Sequence, residues 1–99
     1  MPKVRWTTSA IEDLDNITCY LANSSQRYSI QFRDDVLDLV DSIAESPYRG
    51  WQLPEYEFMH IRERLINRYR IIYRIKDEHL IELLAIIHGA RRLPPDLLR

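Results

Sequence analysis

Residues 59–92, MHIRERLINRYRIIYRIKDEHLIELLAIIHGARR, decide the fold. They read as three consecutive strands. His60 to Leu65 alternates charged and apolar side chains. Tyr69 to Ile75, YRIIYRI, is rich in aromatic and β-branched residues. Leu80 to His88 is nearly continuous apolar sequence. The short polar breaks Asn67-Arg68 and Lys76 to His79 fall where hairpin turns belong. Breaks this short favour an antiparallel meander, because a parallel crossover needs a dozen or more residues. The third strand lacks alternation, as a strand buried on both faces does, so a central place in the sheet is expected. His88-Gly89-Ala90-Arg91-Arg92 and then Leu93-Pro94-Pro95 end the pairing.

Working outward, Val4 to Thr7 alternates apolar and polar residues and reads as a short strand that joins the later sheet, with Trp6 in the core. Ser9 and Glu12 fit a capping box, with Ser9 as N-cap of the first helix. Ala10, Leu14, Ile17 and Leu21 form its apolar stripe, widened by Ile11 and Tyr20. Glu12, Asp13, Asp15 and Asn16 fall on the other side, two of the acids near the helix's positive end. Cys19 lies opposite the stripe, exposed or facing a partner. Asn23-Ser24-Ser25 breaks the helix, and either serine can cap the next. The second helix runs to about Glu45, with Tyr28, Phe32, Val36, Leu39, Val40 and Ile43 on its apolar face. Ile30 and Leu37, at the stripe's edge, either cover the core or line an exposed groove. Ser46-Pro47 ends the helix. Tyr48 to Pro54 reads as a loop and the rest to Phe58 as irregular, with its aromatics folded back on the core. The order β-α-α-β-β-β predicts an α+β domain of two layers, an N-terminal helical hairpin packed on an antiparallel-rich sheet.

The chain has 99 residues, which predicts one domain over 1–99. No apolar run approaches the roughly 20 residues that span a bilayer, and no leader is apparent, so a cytoplasmic protein is expected. One cysteine and no Cys/His cluster argue against an internal disulfide and against a metal site; no cofactor is expected. The net charge of −1 hides an asymmetry: residues 1–48 carry −4 and residues 49–99 carry +3. The arginines of the basic half crowd onto neighbouring strands.

The element order, the S-A-x-x-D-L-x-x-I-x-x-Y run from Ser9 to Tyr20, Pro47, Tyr69-Arg70-Ile71-Ile72-Tyr73-Arg74 and the closing Ile86-Ile87-His88-Gly89-Ala90-Arg91-Arg92 together resemble the RelE/ParE superfamily of type II toxins. The H-G-A-R-R close and long helical hairpin look more like the ParE branch. The resemblance implies a toxin, linked to plasmid stabilisation, that is neutralised by a cognate ParD-like antitoxin in a hetero-oligomer. In the ParE branch the target is DNA gyrase, trapped on cleaved DNA. In the RelE branch it is messenger RNA on the ribosome, which the toxin cuts. Neither branch implies a small-molecule substrate or a membrane partner.

Two sets of site residues follow. Ribonuclease chemistry needs arginines around a phosphate and a proton-transfer group. Arg62, Arg70, His88 and Arg91 are the candidates for that alternative. Against it stand the absence of any aromatic residue after Tyr73, where the RelE branch generally has one, and the slightly acidic balance, unlike that of an RNA binder. The leading reading is therefore a gyrase-binding toxin without catalysis. The ParE resemblance gives Arg91, Arg92 and Leu93 to the target, with Pro94-Pro95 holding the tail extended. Arg62, Arg64, Arg70, Arg74 and Leu37 are the candidates for antitoxin contact. The alternative for these arginines is cross-strand pairing with Glu63 or Glu82. A decayed toxin that binds antitoxin and poisons nothing is a third possibility.

Overall fold

The computed structural model describes residues 1–93 and 97, and for residues 55, 57 and 58 the backbone alone. The expectations for Pro94-Pro95 and for the Phe58 ring lie outside the described residues. Strand β1 (Lys3–Trp6) leads into helices α1 (Thr8–Ala22) and α2 (Gln26–Glu45). After a 3-10 turn at Pro47–Arg49 come the two-residue strand β2 (Trp51–Gln52) and a kinked 3-10 segment, Pro54–Met59. The meander β3 (Ile61–Ile66), β4 (Tyr69–Asp77) and β5 (Leu80–His88) closes the order. The architecture is α+β, with a five-stranded mixed sheet in the order β1-β5-β4-β3-β2.

The three strands of the meander stand where the alternation and turn residues put them. The two-residue hairpin turn between β3 and β4 places Asn67 at φ 53, a left-handed conformation that asparagine tolerates better than most residues. β5 is flanked on both sides, by β4 antiparallel and by β1 parallel. It is an interior strand, although β4 holds the middle position. Its missing alternation has a further cause. Leu83 pairs with Tyr73 and Ala85 with Ile72, so Leu84 is an extra, bulged residue. Leu83 and Ile86 face the helices while Leu84 and Ala85 share the opposite face.

β5 serves two cores, as the alternating faces of an interior strand allow, and the bulge adds Leu84 to the far one. On the helix side Phe32, Val36, Val40 and Ile43 of α2 and Ala10 and Leu14 of α1 meet Ile71, Tyr73, Ile75, Ile81, Leu83 and Ile86. Phe32 is fully buried and its ring lies 5.2 Å from that of Tyr69. Truncation of so buried a ring to alanine costs about 3–5 kcal/mol. Buried Ser29 joins the helices by donating to the Thr18 carbonyl at 2.7 Å. On the other face Leu53, Ile61, Ile72, Leu84, Ala85 and Leu97 form a second cluster, with Tyr56, Ile87 and Leu93 against it.

Three local expectations are corrected. The N-cap of α1 is Thr7, not Ser9: the Thr7 hydroxyl accepts from Ala10 N at 3.1 Å and donates to the Leu83 carbonyl at 2.8 Å. One side chain thus closes β1 against β5 and opens the helix, an advantage Ser9 does not have. With the helix beginning at Thr8, its first turn carries no acid. The aromatics of the loop after α2 do not fold back as a group. Tyr48 and Trp51 are 64% and 73% exposed, and Tyr56 packs on the second cluster. Trp51 is exposed because β2 is an edge strand. Ser25 is the N-cap of α2, accepting from Tyr28 N. Leu37 and Ile30 are exposed rather than part of the core, and Cys19 is exposed as its helical position predicts.

Candidate functional site

Cross-strand register assigns each strand arginine to a face, because residues directly opposite share one. Arg62 stands opposite Tyr73 and Arg64 opposite Ile71, both of the helix-side core. Arg70 stands opposite Leu65 and Arg74 opposite Ile61, on the far side. The four arginines are therefore divided two and two between the faces. The group imagined around one phosphate, Arg62, Arg70, His88 and Arg91, is not assembled, since Arg62 and Arg70 are separated by the sheet itself.

Each pair has its own local role. Arg62 donates through one terminal nitrogen to the carbonyls of Gly50 (2.8 Å) and Tyr48 (3.2 Å) and stacks over the Tyr48 ring at 5.2 Å. Beside it the fully buried Tyr73 hydroxyl donates to the Pro47 carbonyl at 2.6 Å. Burial pushes the Tyr73 phenol above its ordinary value of 10.0, and Arg62 and Arg64 pull the other way, so it stays a neutral donor. The Tyr73 oxygen passes so close to Gly50 that a β-carbon there would overlap it. Arg62 and Tyr73 thus pin the loop after α2 to the sheet. One terminal nitrogen of Arg64 is buried without a hydrogen-bond partner.

On the far face both cross-strand pairings named from the sequence occur. Arg70 lies 2.9 Å from Glu63, close enough for an ion pair but not aligned as a hydrogen bond. Arg74 donates to Glu82 at 2.6 and 3.0 Å, and Arg5 of β1 meets the other carboxylate oxygen. Arg5, Glu82 and Arg74 lie in one row across β1, β5 and β4. Glu82 is only 2% exposed, so its charge depends on these two arginines.

The C-terminal candidates gather elsewhere. A cleft of about 650 Å³ opens between α1 and the end of β5. Asp13, Tyr20, Tyr69, His88, Arg91 and Arg92 are among the residues that line it. The His88 ring meets Tyr69 edge-on at 5.5 Å, and its Nδ1 accepts from Ala90 N at 3.3 Å. Arg92 also borders a smaller hollow of about 440 Å³ on the far face, with Leu53, Pro54, Tyr56, Arg70 and Leu93. So Arg91 and Arg92 join His88, Leu93 turns to the second cluster, and Leu37 stands apart on α2.

Asp13 was not singled out by the sequence. Its carboxylate accepts from Ile86 N at 2.9 Å. Burial raises its pKa above the ordinary 3.8, the hydrogen bond from Ile86 pulls it down, and Glu12 adds to the rise. Its helical position, on the polar side of α1, reads as solvated; only the sheet shows that it is half-buried against β5.

A family model describing the ParE toxin of type II toxin–antitoxin systems, parDE, matches residues 4–93. This chain belongs to the ParE toxin family. Among solved structures, one titled "Chromosomal ParDE TA system from P. aeruginosa" is similar, with a TM-score of 0.71 and 22% identity. The match covers 89% of this chain and 96% of that one, and at this identity it speaks for a common fold. No curated protein sequence matches. In this chain Arg62, Arg70 and Arg74 are engaged by the loop carbonyls or by Glu63 and Glu82, and Arg91 and Arg92 converge on the α1–β5 cleft.

Proposed function

We propose that this chain is a single-domain, cytoplasmic ParE toxin that poisons DNA gyrase without itself catalysing a reaction, and that a ParD-like antitoxin holds it inactive in a hetero-oligomer. The observation that carries this reading is the family match across residues 4–93. The arrangement of arginines supports it against the ribonuclease alternative. Arg62 and Arg70 point to opposite faces, and Arg70 and Arg74 are engaged by Glu63 and Glu82. A phosphate-stabilising site needs convergent, unengaged donors. Among the described residues no helix is long and apolar enough to cross a membrane.

In this reading Arg91, Arg92 and Leu93, at the end of β5, reach the gyrase complex. Leu37 and the exposed portions of Arg62, Arg64, Arg70 and Arg74 contact the antitoxin, which then embraces both faces of the sheet. The test is a supercoiling and cleavage assay on gyrase with the purified full chain, beside messenger RNA on programmed ribosomes. Accumulation of linear DNA with intact RNA is expected. Unperturbed gyrase in the presence of folded protein would sink the proposal, and cut RNA would replace it with the ribonuclease reading.

A further inference from the structure

The net charge of −1 averages two poles. Gly89 N–H donates to the Arg68 carbonyl at 2.7 Å, so the β3–β4 turn and the segment after β5 lie side by side. No side chain holds them apart: a β-carbon on Gly89 would stand 3.2 Å from that carbonyl oxygen. The Asn67 amide donates to the Tyr28 hydroxyl at 3.3 Å, which brings the first turn of α2 to the same end. Three segments distant in the chain thus gather Arg27, Arg68, Arg91 and Arg92 at one end of the molecule, all four exposed. None has a carboxylate within ion-pair distance among the described residues. Asp13, in the neighbouring cleft, accepts from Ile86, and Glu63 faces Arg70.

The negative pole lies elsewhere. The acids of α2 begin at Asp34, about 12 Å along the helix from Gln26, and continue to Glu45, about 28 Å along. The Debye length at physiological ionic strength is about 8 Å. These acids therefore cancel little of the field at the basic end, and a polyanion meets that end as a cationic surface. Between Arg68, Arg91 and Arg92 the exposed residues are Asn67, His88, Gly89 and Ala90, with no aliphatic side chain larger than alanine. A protein partner is anchored by aromatic and aliphatic side chains at the centre of its interface. Arginines set among small polar residues are instead the make-up of a phosphate contact.

We propose that this end of the molecule, through Arg27, Arg68, Arg91 and Arg92, grips the phosphate backbone of duplex DNA without reading its sequence. The inference rests on the proposed function for the choice of polyanion: the duplex is the one gyrase holds, so the toxin touches the nucleic acid as well as the enzyme. The acidic pole on α2 faces away and keeps the contact weak on DNA alone.

Fluorescence anisotropy of a labelled DNA duplex of mixed sequence, titrated with the purified full chain, tests the contact without gyrase. A Kd of about 10⁻⁴ M near physiological salt is expected. Four phosphate contacts give a slope of log K against log salt of about −3.6, hence roughly a thousandfold tightening as salt falls to about 20 mM. Arg68→Glu/Arg91→Glu should weaken binding at least about tenfold and flatten the slope by about 2. Arg49→Glu/Lys76→Glu changes the net charge equally at exposed positions away from this end, and should shift the affinity less than about threefold. Urea midpoints equal to the parent's show that both variants fold. The proposal fails if no binding is seen at about 20 mM salt, or if the charge-matched pair weakens it as much. It also fails if poly-glutamate competes as well as DNA, which would mean an acidic protein, or if single-stranded RNA binds more tightly, which would mean an RNA site. Gyrase poisoning is scored separately with the same variants. DNA binding beside unperturbed gyrase would remove the toxin reading and leave the contact. Full poisoning by Arg68→Glu/Arg91→Glu would remove the contact alone.

Discussion

Removing Arg74 should cost far more than removing the carboxylate it holds. Glu82 is 2% exposed and is met by Arg74 from β4 and Arg5 from β1. Its partners are better hydrated: the Arg74 side chain is 25% exposed and that of Arg5 is 62%. Breaking a buried pair by deleting one partner costs about 3–5 kcal/mol, because the remaining charge is stranded. In Arg74→Met the stranded group is Glu82, which keeps Arg5, so the low end applies, about 3 kcal/mol. In Glu82→Met the stranded groups are arginines that water can reach, and the loss should be about 0–1 kcal/mol. Arg5→Met should also cost about 0–1 kcal/mol. The double variant Arg74→Met/Glu82→Met places apolar side chains beside Ile61 and Leu84 and should recover to within about 1 kcal/mol of the parent. Urea unfolding followed by circular dichroism reads these values. At the slopes usual for small domains, the Arg74→Met midpoint should drop by roughly 1–3 M. If Arg74→Met were within 0.5 kcal/mol of the parent, or Glu82→Met the worse of the two, the claim that burial of Glu82 makes it depend on Arg74 would be wrong.

Four further outcomes can be checked. Asp13 has a raised folded-state pKa, so its contribution to stability is fully present below the ordinary carboxylate value of 3.8 and is lost as pH rises through the folded value. Asp13→Asn should therefore be as stable as the parent or more stable at pH 7, and its urea midpoint should depend less on pH across the acid range. Gly50→Ala should destabilise by about 1–3 kcal/mol through overlap with the Tyr73 hydroxyl, and adding Tyr73→Phe should recover part of the loss in thermal melts. Asn67→Val should cost about 1–2 kcal/mol, because a β-branched residue resists φ 53, while Asn67→Gly should be near neutral. Leu37→Asp, at a position 41% exposed, should leave the urea midpoint within about 0.5 kcal/mol. It should weaken capture by the antitoxin in a pull-down if α2 is part of that contact.

The elements with strong local signals were legible. The meander from β3 to β5, both helices, the two-faced burial of β5 and the joining of β1 to the sheet all follow from periodicity and turn residues. The sequence did not reveal what depends on groups far apart in the chain. Thr7 outcompetes Ser9 as a cap because Leu83, 76 residues away, adds a second bond to its hydroxyl. β2 is too short to carry a period of its own. The bulge at Leu84 is silent within an apolar run, since either neighbour could be the extra residue. For the candidate site, the residue types were right about pairing, with Glu63 and Glu82 both named, but one strand's faces could not be aligned with the next without the register. That is why the residue types alone set Arg62 and Arg70 around one phosphate, which the register forbids. Asp13 escaped because an acid on the polar side of a helix gives no sign that a strand end will meet it.

The parallel pairing of β1 with β5 has a consequence for biosynthesis. Residues 3–6 wait for residues 80–83 before they have a partner. At about 5–20 residues per second, translation separates the two by roughly 4–15 s. During that interval the helical hairpin has emerged with its apolar stripe uncovered, while the strands that will cover it are still being made. A nascent chain in this condition is open to capture before its sheet closes. A partner already present in the cell could thus meet the polypeptide while it is being translated, before any toxin has formed.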